Sequence, residues 1–186
     1  MNKILNKLYR ENNLNDIEFK ELLNTNKYDN ELFEKADFVR REVYGNKVYI
    51  RGLIEFTNYC KNDCLYCGIR RSNKNAVRYR LTKDEILDCC REGYSLGFRT
   101  FVLQGGEDAY YTDELICDIV SEIRKNYKDC AITLSIGERS KESYKAFFDA
   151  GANRYLLRHE TADEKHYKML HPKNMSLENR KKCLFN

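Results

Sequence analysis

The spacing of apolar residues along the chain changes character near residue 48. Before that point the intervals are helical. Leu32, Ala36, Val39 and Val43 lie four, three and four residues apart, which puts one apolar stripe on a helix that stops near Gly45. Leu22 and Leu23 mark a shorter helix upstream, so residues 1–47 are expected to form an N-terminal helical cap. From Val48 onward, short β-rich runs alternate with amphipathic stretches. Val48–Phe56 predicts a first strand that ends at Thr57-Asn58, and Thr82-Lys83-Asp84-Glu85 is a capping box that opens a helix to about Leu96, with Gly97 as its stop. Thr100–Leu103 predicts a second strand, and Leu115, Ile116, Ile119, Val120 and Ile123 form the apolar face of the helix after it. Ala131–Ile136 is the third expected strand, Ser140–Ala150 a helix closed by Gly151, and Arg154–Leu157 the fourth strand. A helix over Asp163–Leu170 breaks at His171-Pro172, and Ser176 caps a last helix still in progress at Asn186.

Strands separated by helical crossovers predict an α/β fold with a parallel sheet and right-handed connections. Four strand–helix units fill roughly 140 residues here, whereas a closed eight-unit barrel takes about 250. The sequence ends without a C-cap, a Gly or Pro stop, or a polar tail. Residues 48–186 are therefore expected to be the first half of a (β/α) TIM-type barrel, truncated within a helix. A native open sheet of four units is the competing reading.

Composition narrows the class. Of 186 residues, 42% are hydrophobic, enough for a core, and 33% are charged. Net charge is only +4, which argues against a nucleic-acid partner. No apolar run approaches the ~18–20 residues of a membrane span, and Met1–Arg10 has no greasy core of a secretory signal. The cytoplasm is the expected compartment, where thiols stay reduced. That matters for the eight cysteines, which are spread too unevenly for a disulfide framework. Cys89, Cys90, Cys117 and Cys130 are expected to be small buried hydrophobes, and Cys183 a packing residue on a helix.

Cys60, Cys64 and Cys67 differ. They form a C-x3-C-x2-C loop directly after the first strand. Soft thiolates select zinc, cuprous copper or an iron–sulfur cluster. A closed zinc site needs a fourth ligand, and a fully ligated four-iron cluster ordinarily takes four cysteines. Neither a nearby cysteine nor a histidine supplies one, since all three histidines lie beyond residue 158. Three protein ligands suit a cubane with one iron left open; a zinc loop remains the alternative. Polar clusters follow the other strands too: Gln104-Gly105-Gly106-Glu107-Asp108, Ser135-Ile136-Gly137-Glu138 and Arg158-His159-Glu160-Thr161. Barrel enzymes gather their chemistry at those strand ends.

The cysteine loop, with Tyr66 before its last cysteine, and the Gly-Gly-Glu stretch at 105–107 resemble the radical S-adenosylmethionine (radical SAM) enzymes. Phe56–Cys60, Cys67–Asn75, Arg78–Leu81, Val102–Asp108 and Arg154–Ala162 resemble, more closely, the FeFe-hydrogenase H-cluster maturases of the biotin-synthase-like branch. Methylornithine synthase and biotin synthase are the competing members, and a non-catalytic iron–sulfur or zinc-binding module is the alternative of another class. Ala109 stands where many relatives have proline, a change that removes no functional group.

The resemblance implies that Cys60, Cys64 and Cys67 hold a 4Fe-4S cluster whose open iron takes SAM, which is cleaved reductively to a 5′-deoxyadenosyl radical. It further implies that Tyr66, Gln104, Gly105, Gly106, Glu107, Ser135, Glu160 and Arg180 bind SAM, and that Arg158 and His159 face a small-molecule or iron-complex substrate. A guanidinium at Arg180 would match the SAM carboxylate bidentately. The implied partners are a reducing electron donor and other hydrogenase maturases.

Overall fold

The computed structural model describes residues 2–186, which divide into two compact units, one running up to Tyr49 and the other Ile50–Asn186. The first unit is helical. Helix α1 (Lys3–Glu11) starts at Asn2, whose side chain accepts the Ile4 N–H, and α2 (Asp16–Leu23) starts at an Asn15/Glu18 capping box. Helix α3 (Asp29–Tyr44) ends at Gly45, which has positive φ (60°). Leu5 and Leu14 are buried, and the α3 stripe opens with Leu8 and Tyr9 onto an apolar groove of about 700 Å³. The stripe is less covered than its period predicts, because Val39 and Val43 are exposed. A unit this small cannot bury every apolar position it carries.

The second unit is an α/β fold. Its sheet runs β1 (Gly52–Thr57), β2 (Thr100–Gly105), β3 (Ala131–Ser135) and β4 (Arg154–Tyr155), in that order and parallel throughout. Helices α4 (Lys83–Ser95), α5 (Asp113–Asn126) and α6 (Lys141–Asp149) make the crossovers, and α7 (Glu164–Leu170) and α8 (Leu177–Phe185) follow β4. The expected capping box is present: Thr82 accepts the Glu85 N–H while the Glu85 carboxylate receives the Thr82 N–H. Ile54, Phe56, Phe101, Leu103, Ile132 and Leu134 pack with Ile86, Cys90, Ile116, Ile119, Val120, Ile123 and Phe147 in one buried cluster. Each such side chain contributes about 1.5–3 kcal/mol by leaving water.

Two expectations change. The first strand begins at Gly52 rather than Val48, and Val48, Tyr49 and Ile50 are exposed. The β-formers there have no neighbouring strand, since the β1–β2 ladder starts at Gly52 opposite Phe101. Of the cysteines expected to be buried, Cys90 and Cys130 are, Cys117 is half-buried and Cys89 is exposed. Adjacent helix positions point about 100° apart, so Cys89 and Cys90 cannot share a face.

Register places the chemistry. Gln104 pairs with Glu55 on one side and Ser135 on the other, so a polar row crosses β1, β2 and β3 near their C-terminal ends. These side chains project from the face opposite Leu103 and Leu134, because alternate strand residues point to opposite faces.

Candidate functional site

The cysteine loop leaves the sheet at Thr57 and rejoins it through an antiparallel bridge between Thr57 and Arg80. Inside the loop the Cys67 N–H donates to the Cys64 carbonyl (3.0 Å), the Arg71 N–H to the Asn62 carbonyl (2.9 Å), and the Ser72 N–H to Asp63 (2.9 Å). Cys60, Cys64 and Cys67 are half-buried and open onto one cavity of about 330 Å³. Twelve of the thirteen expected site residues line it: the three cysteines, Tyr66, Gln104, Gly105, Gly106, Glu107, Ser135, Arg158, Glu160 and Arg180. His159 does not; it is exposed, and the chain reverses just after it. The reversal is tight, with the Thr161 N–H donating to the His159 carbonyl (2.7 Å) around Glu160 at φ 63°. A non-glycine residue in that region is strained, a feature that clusters at functional sites.

The Gly-Gly-Glu turn is stapled to the cysteine loop. The Lys61 N–H donates to the Glu107 carbonyl (2.9 Å), and the Gly106 N–H points at the Thr57 carbonyl (3.4 Å). Gly106 is required by this approach, because a Cβ there would lie 2.1 Å from the Tyr59 carbonyl oxygen and 2.7 Å from the Cys60 Cβ. Gly137, at φ 81°, leaves room for Glu107, whose Cγ would lie 2.0 Å from an added Cβ. The Glu107 carboxylate accepts the Glu138 N–H (3.2 Å) and faces Lys61 Nζ (3.2 Å) and Arg180 Nη2 (3.9 Å). Arg180 is buried and its Nε lies 3.0 Å from Glu138 Oε1. Burial opposes its charge, but Tyr167, Glu138 and Glu107 hold it firmly protonated.

Burial raises the Cys60 thiol, and burial with the neighbouring cysteines pushes Cys64 up to about 11. Both thiols must therefore give up protons to bind metal. Sequence reading missed the support behind Tyr66. His171 is buried and stacks on Tyr167 at 3.8 Å between ring centroids, with its Nδ1 3.0 Å from the Tyr167 carbonyl. A carbonyl only accepts, so Nδ1 carries the hydrogen and Nε2 is left to accept the Tyr66 hydroxyl at 3.3 Å. Burial holds the His171 pKa below its ordinary value, which keeps that acceptor free of a proton. The Leu65 N–H donates to the Leu170 carbonyl (2.9 Å), and Cys64 Sγ lies 3.9 Å from Met175 Sδ, so the last residue of α7 and the segment after it brace the loop. Gly137, from the cluster after the third strand, also lines the cavity, as do Glu55 and Asn62, which were not singled out. Glu55 alone was findable, by strand alternation.

The donor set fits a cluster with an open corner. Three soft sulfurs line the chamber, and no other Cys and no His joins them among the described residues. Among the described residues no three His, Cys, Asp or Glu side chains converge as a single ion requires.

A parallel β/α sheet with three cysteines at the mouth of its first strand defines the class. Residues 54–186 match the model of the Radical SAM superfamily, and the chain belongs to that superfamily, whose cofactors are a 4Fe-4S cluster and SAM. Within it, the chain is 47% identical over 98% of its length to the FeFe hydrogenase maturase subunit HydE of Thermotoga maritima, 52% of which it covers. It is 33% identical over 75% of its length to 3-methylornithine synthase of Methanosarcina acetivorans, covering 40% of that enzyme. Among solved structures, HydG, described as a maturase of the FeFe hydrogenase, superposes with a TM-score of 0.87 at 26% identity, over 98% of this chain and 42% of that one. The chain thus spans about half the length of the curated relatives it matches. Among the described residues no helix is long and apolar enough to cross a membrane.

Proposed function

We propose that this chain carries the SAM-cleaving site of an enzyme working in FeFe-hydrogenase H-cluster assembly. The observation that carries the reading is the meeting of three thiols, Glu107 and Arg180 at one cavity above a parallel sheet, in a chain 47% identical to HydE along nearly its whole length. Cys60, Cys64 and Cys67 hold the cluster. When bound, a cluster with one open iron supplies the electron that splits the SAM sulfonium bond. Glu107 and the backbone of Gly105 and Gly106, with Gln104 beside them, receive the SAM ammonium. Arg180 offers a guanidinium to the carboxylate, Ser135 and Glu160 serve the carboxylate and ribose, and Tyr66 backs the adenine. Arg158, on the exposed rim, meets an anionic group of a small-molecule or iron-complex substrate. Residues 1–47 form a helical unit of their own, the compartment is the cytoplasm, and the partners are a reductant and other maturases.

Anaerobic reconstitution tests this. Ferrous iron and sulfide should load to about four irons per chain, and SAM should perturb the reduced cluster's electron paramagnetic resonance (EPR) spectrum. Cys64→Ser should abolish loading, while Cys117→Ser, which changes a half-buried α5 cysteine outside the cavity, should leave it intact. Retained zinc with no response to SAM would overturn the reading.

A further inference from the structure

The three residues that close the cysteine loop hold more of it than a chain reversal requires. The Arg78 guanidinium donates to four carbonyls: Asn58, Ile69 (2.9 Å), Arg70 (2.7 Å) and Asn73 (3.2 Å). Asn58 is on the entering limb and the other three are on the leaving limb, so one side chain gathers both. Tyr79 adds its N–H to the Asn58 side-chain oxygen (2.8 Å) and its hydroxyl to the Glu55 carbonyl (2.8 Å). Arg80 then forks onto Asp108, with Nε 2.6 Å from Oδ2 and Nη2 2.9 Å from Oδ1. Its guanidinium sits 4.0 Å from the ring centroid of Tyr59 and 4.9 Å from that of Tyr110. Asp108 is itself buried, and it also accepts the Thr57 hydroxyl (2.8 Å) and the Tyr110 N–H (3.1 Å). One arginine therefore ties the residue before Cys60 to the residue after Glu107.

We propose that Arg78 and Arg80 are positioning residues that shape the cysteine loop before any metal arrives. Arg78 gathers the loop's carbonyls, and Arg80 locks the foot of the loop to the Gly-Gly-Glu-Asp turn. The inference rests on reading that loop as the cluster site. Lysine is no substitute at either position: its three donors sit on one atom, whereas the planar guanidinium spreads five. A loop ordered in advance loses less freedom on binding, so the clasp would raise affinity for the cluster without touching it.

The test compares wild type with Arg78→Lys and Arg80→Lys, alongside an α5 core variant, Ile119→Val, chosen as the stability control. Hydrogen exchange is read in the metal-free chain at the Cys67, Arg71 and Ser72 amides. Loading with ferrous iron and sulfide and the EPR spectrum with SAM are read afterwards. The expected result is exchange roughly tenfold faster in the loop of both lysine variants, with the sheet amides unchanged. Iron content should fall and the SAM-dependent spectrum should broaden, while the core variant at a similar melting temperature keeps all three signals. Unchanged loop exchange in both lysine variants, or equal loss of iron in the core variant, overturns the proposal. A wild-type chain that takes up no iron would defeat the cluster reading instead, and loop exchange would still decide whether the clasp exists.

Discussion

Gly106→Ala places a methyl group where the structure has no room for one. The new Cβ would lie 2.1 Å from the Tyr59 carbonyl oxygen and 2.7 Å from the Cys60 Cβ, and ordinary contact begins at 3.4 Å. The gap must open by more than 1 Å, and the atoms in the way are backbone and the Cβ of Cys60, not the end of a flexible chain. Two responses are open to the protein. Absorbing the strain costs about 1–3 kcal/mol, as overpacking generally does, or roughly 3–10 °C in melting temperature for a unit of this size. Relieving it by moving the Tyr59–Cys60 limb displaces the proposed ligand Cys60 by about an ångström, which on the scale of misplaced reacting groups is worth about a hundredfold in rate. Gly68→Ala is the control, since an added Cβ there meets nothing within 4 Å although it follows Cys67 directly. The assay is thermal melting of the metal-free chain, then SAM-dependent change in the EPR of the reconstituted one. Gly68→Ala should lie within about 0.5 kcal/mol of the parent. A Gly106→Ala chain that melts within a degree of wild type and answers SAM normally would refute the argument.

Asp108→Asn should destabilise the chain by about 1–3 kcal/mol at neutral pH, because it removes the charge facing Arg80 inside a half-buried hydrogen-bonded pair. Burial would raise the Asp108 carboxyl, but the Arg80 fork, the Tyr110 N–H and the Thr57 hydroxyl outweigh it and hold its pKa below the ordinary value. Its contribution is then complete above about pH 4 and lost as pH falls through the lower, folded value, so melts of parent and variant should converge in acid. A difference that does not shrink as the pH falls below 4 would count against this. The metal-free Cys64 thiol, raised to about 11 by burial and by its neighbouring cysteines, should react with iodoacetamide about tenfold faster per pH unit from 7 to 10, followed by mass spectrometry. A plateau below pH 9 would show a thiolate already formed. Strands β1 and β4 each have one neighbour in the sheet, so light scattering of the 186-residue chain should detect association, and a monodisperse monomer would contradict it.

Elements built from contiguous residues were legible in the sequence. Thr82 and Glu85 announce α4 because a capping box is complete within four residues, and Ile116, Ile119, Val120 and Ile123 disclose the buried face of α5 because helical period and burial coincide there. The cysteine loop was legible for the same reason. What the sequence did not disclose is long-range pairing: Arg80 meets Asp108 28 residues away, and Tyr66 meets His171 across 105. No local pattern distinguishes Arg80 from the chain's other arginines. Val48–Ile50 misled in the opposite sense, since β propensity promises a strand only where a neighbour exists to pair with it.

The crowding around Glu107 bears on how a cationic guest would enter. Its carboxylate already faces Lys61 and the Glu138 N–H, with Arg180 close behind. An incoming ammonium would therefore trade places with a resident cation rather than fill a vacant anion. Lys61, two-thirds exposed and on a flexible stem, is the one able to swing away, whereas buried Arg180 must stay. Such an exchange leaves the local charge nearly balanced before and after, and binding there should depend only weakly on ionic strength.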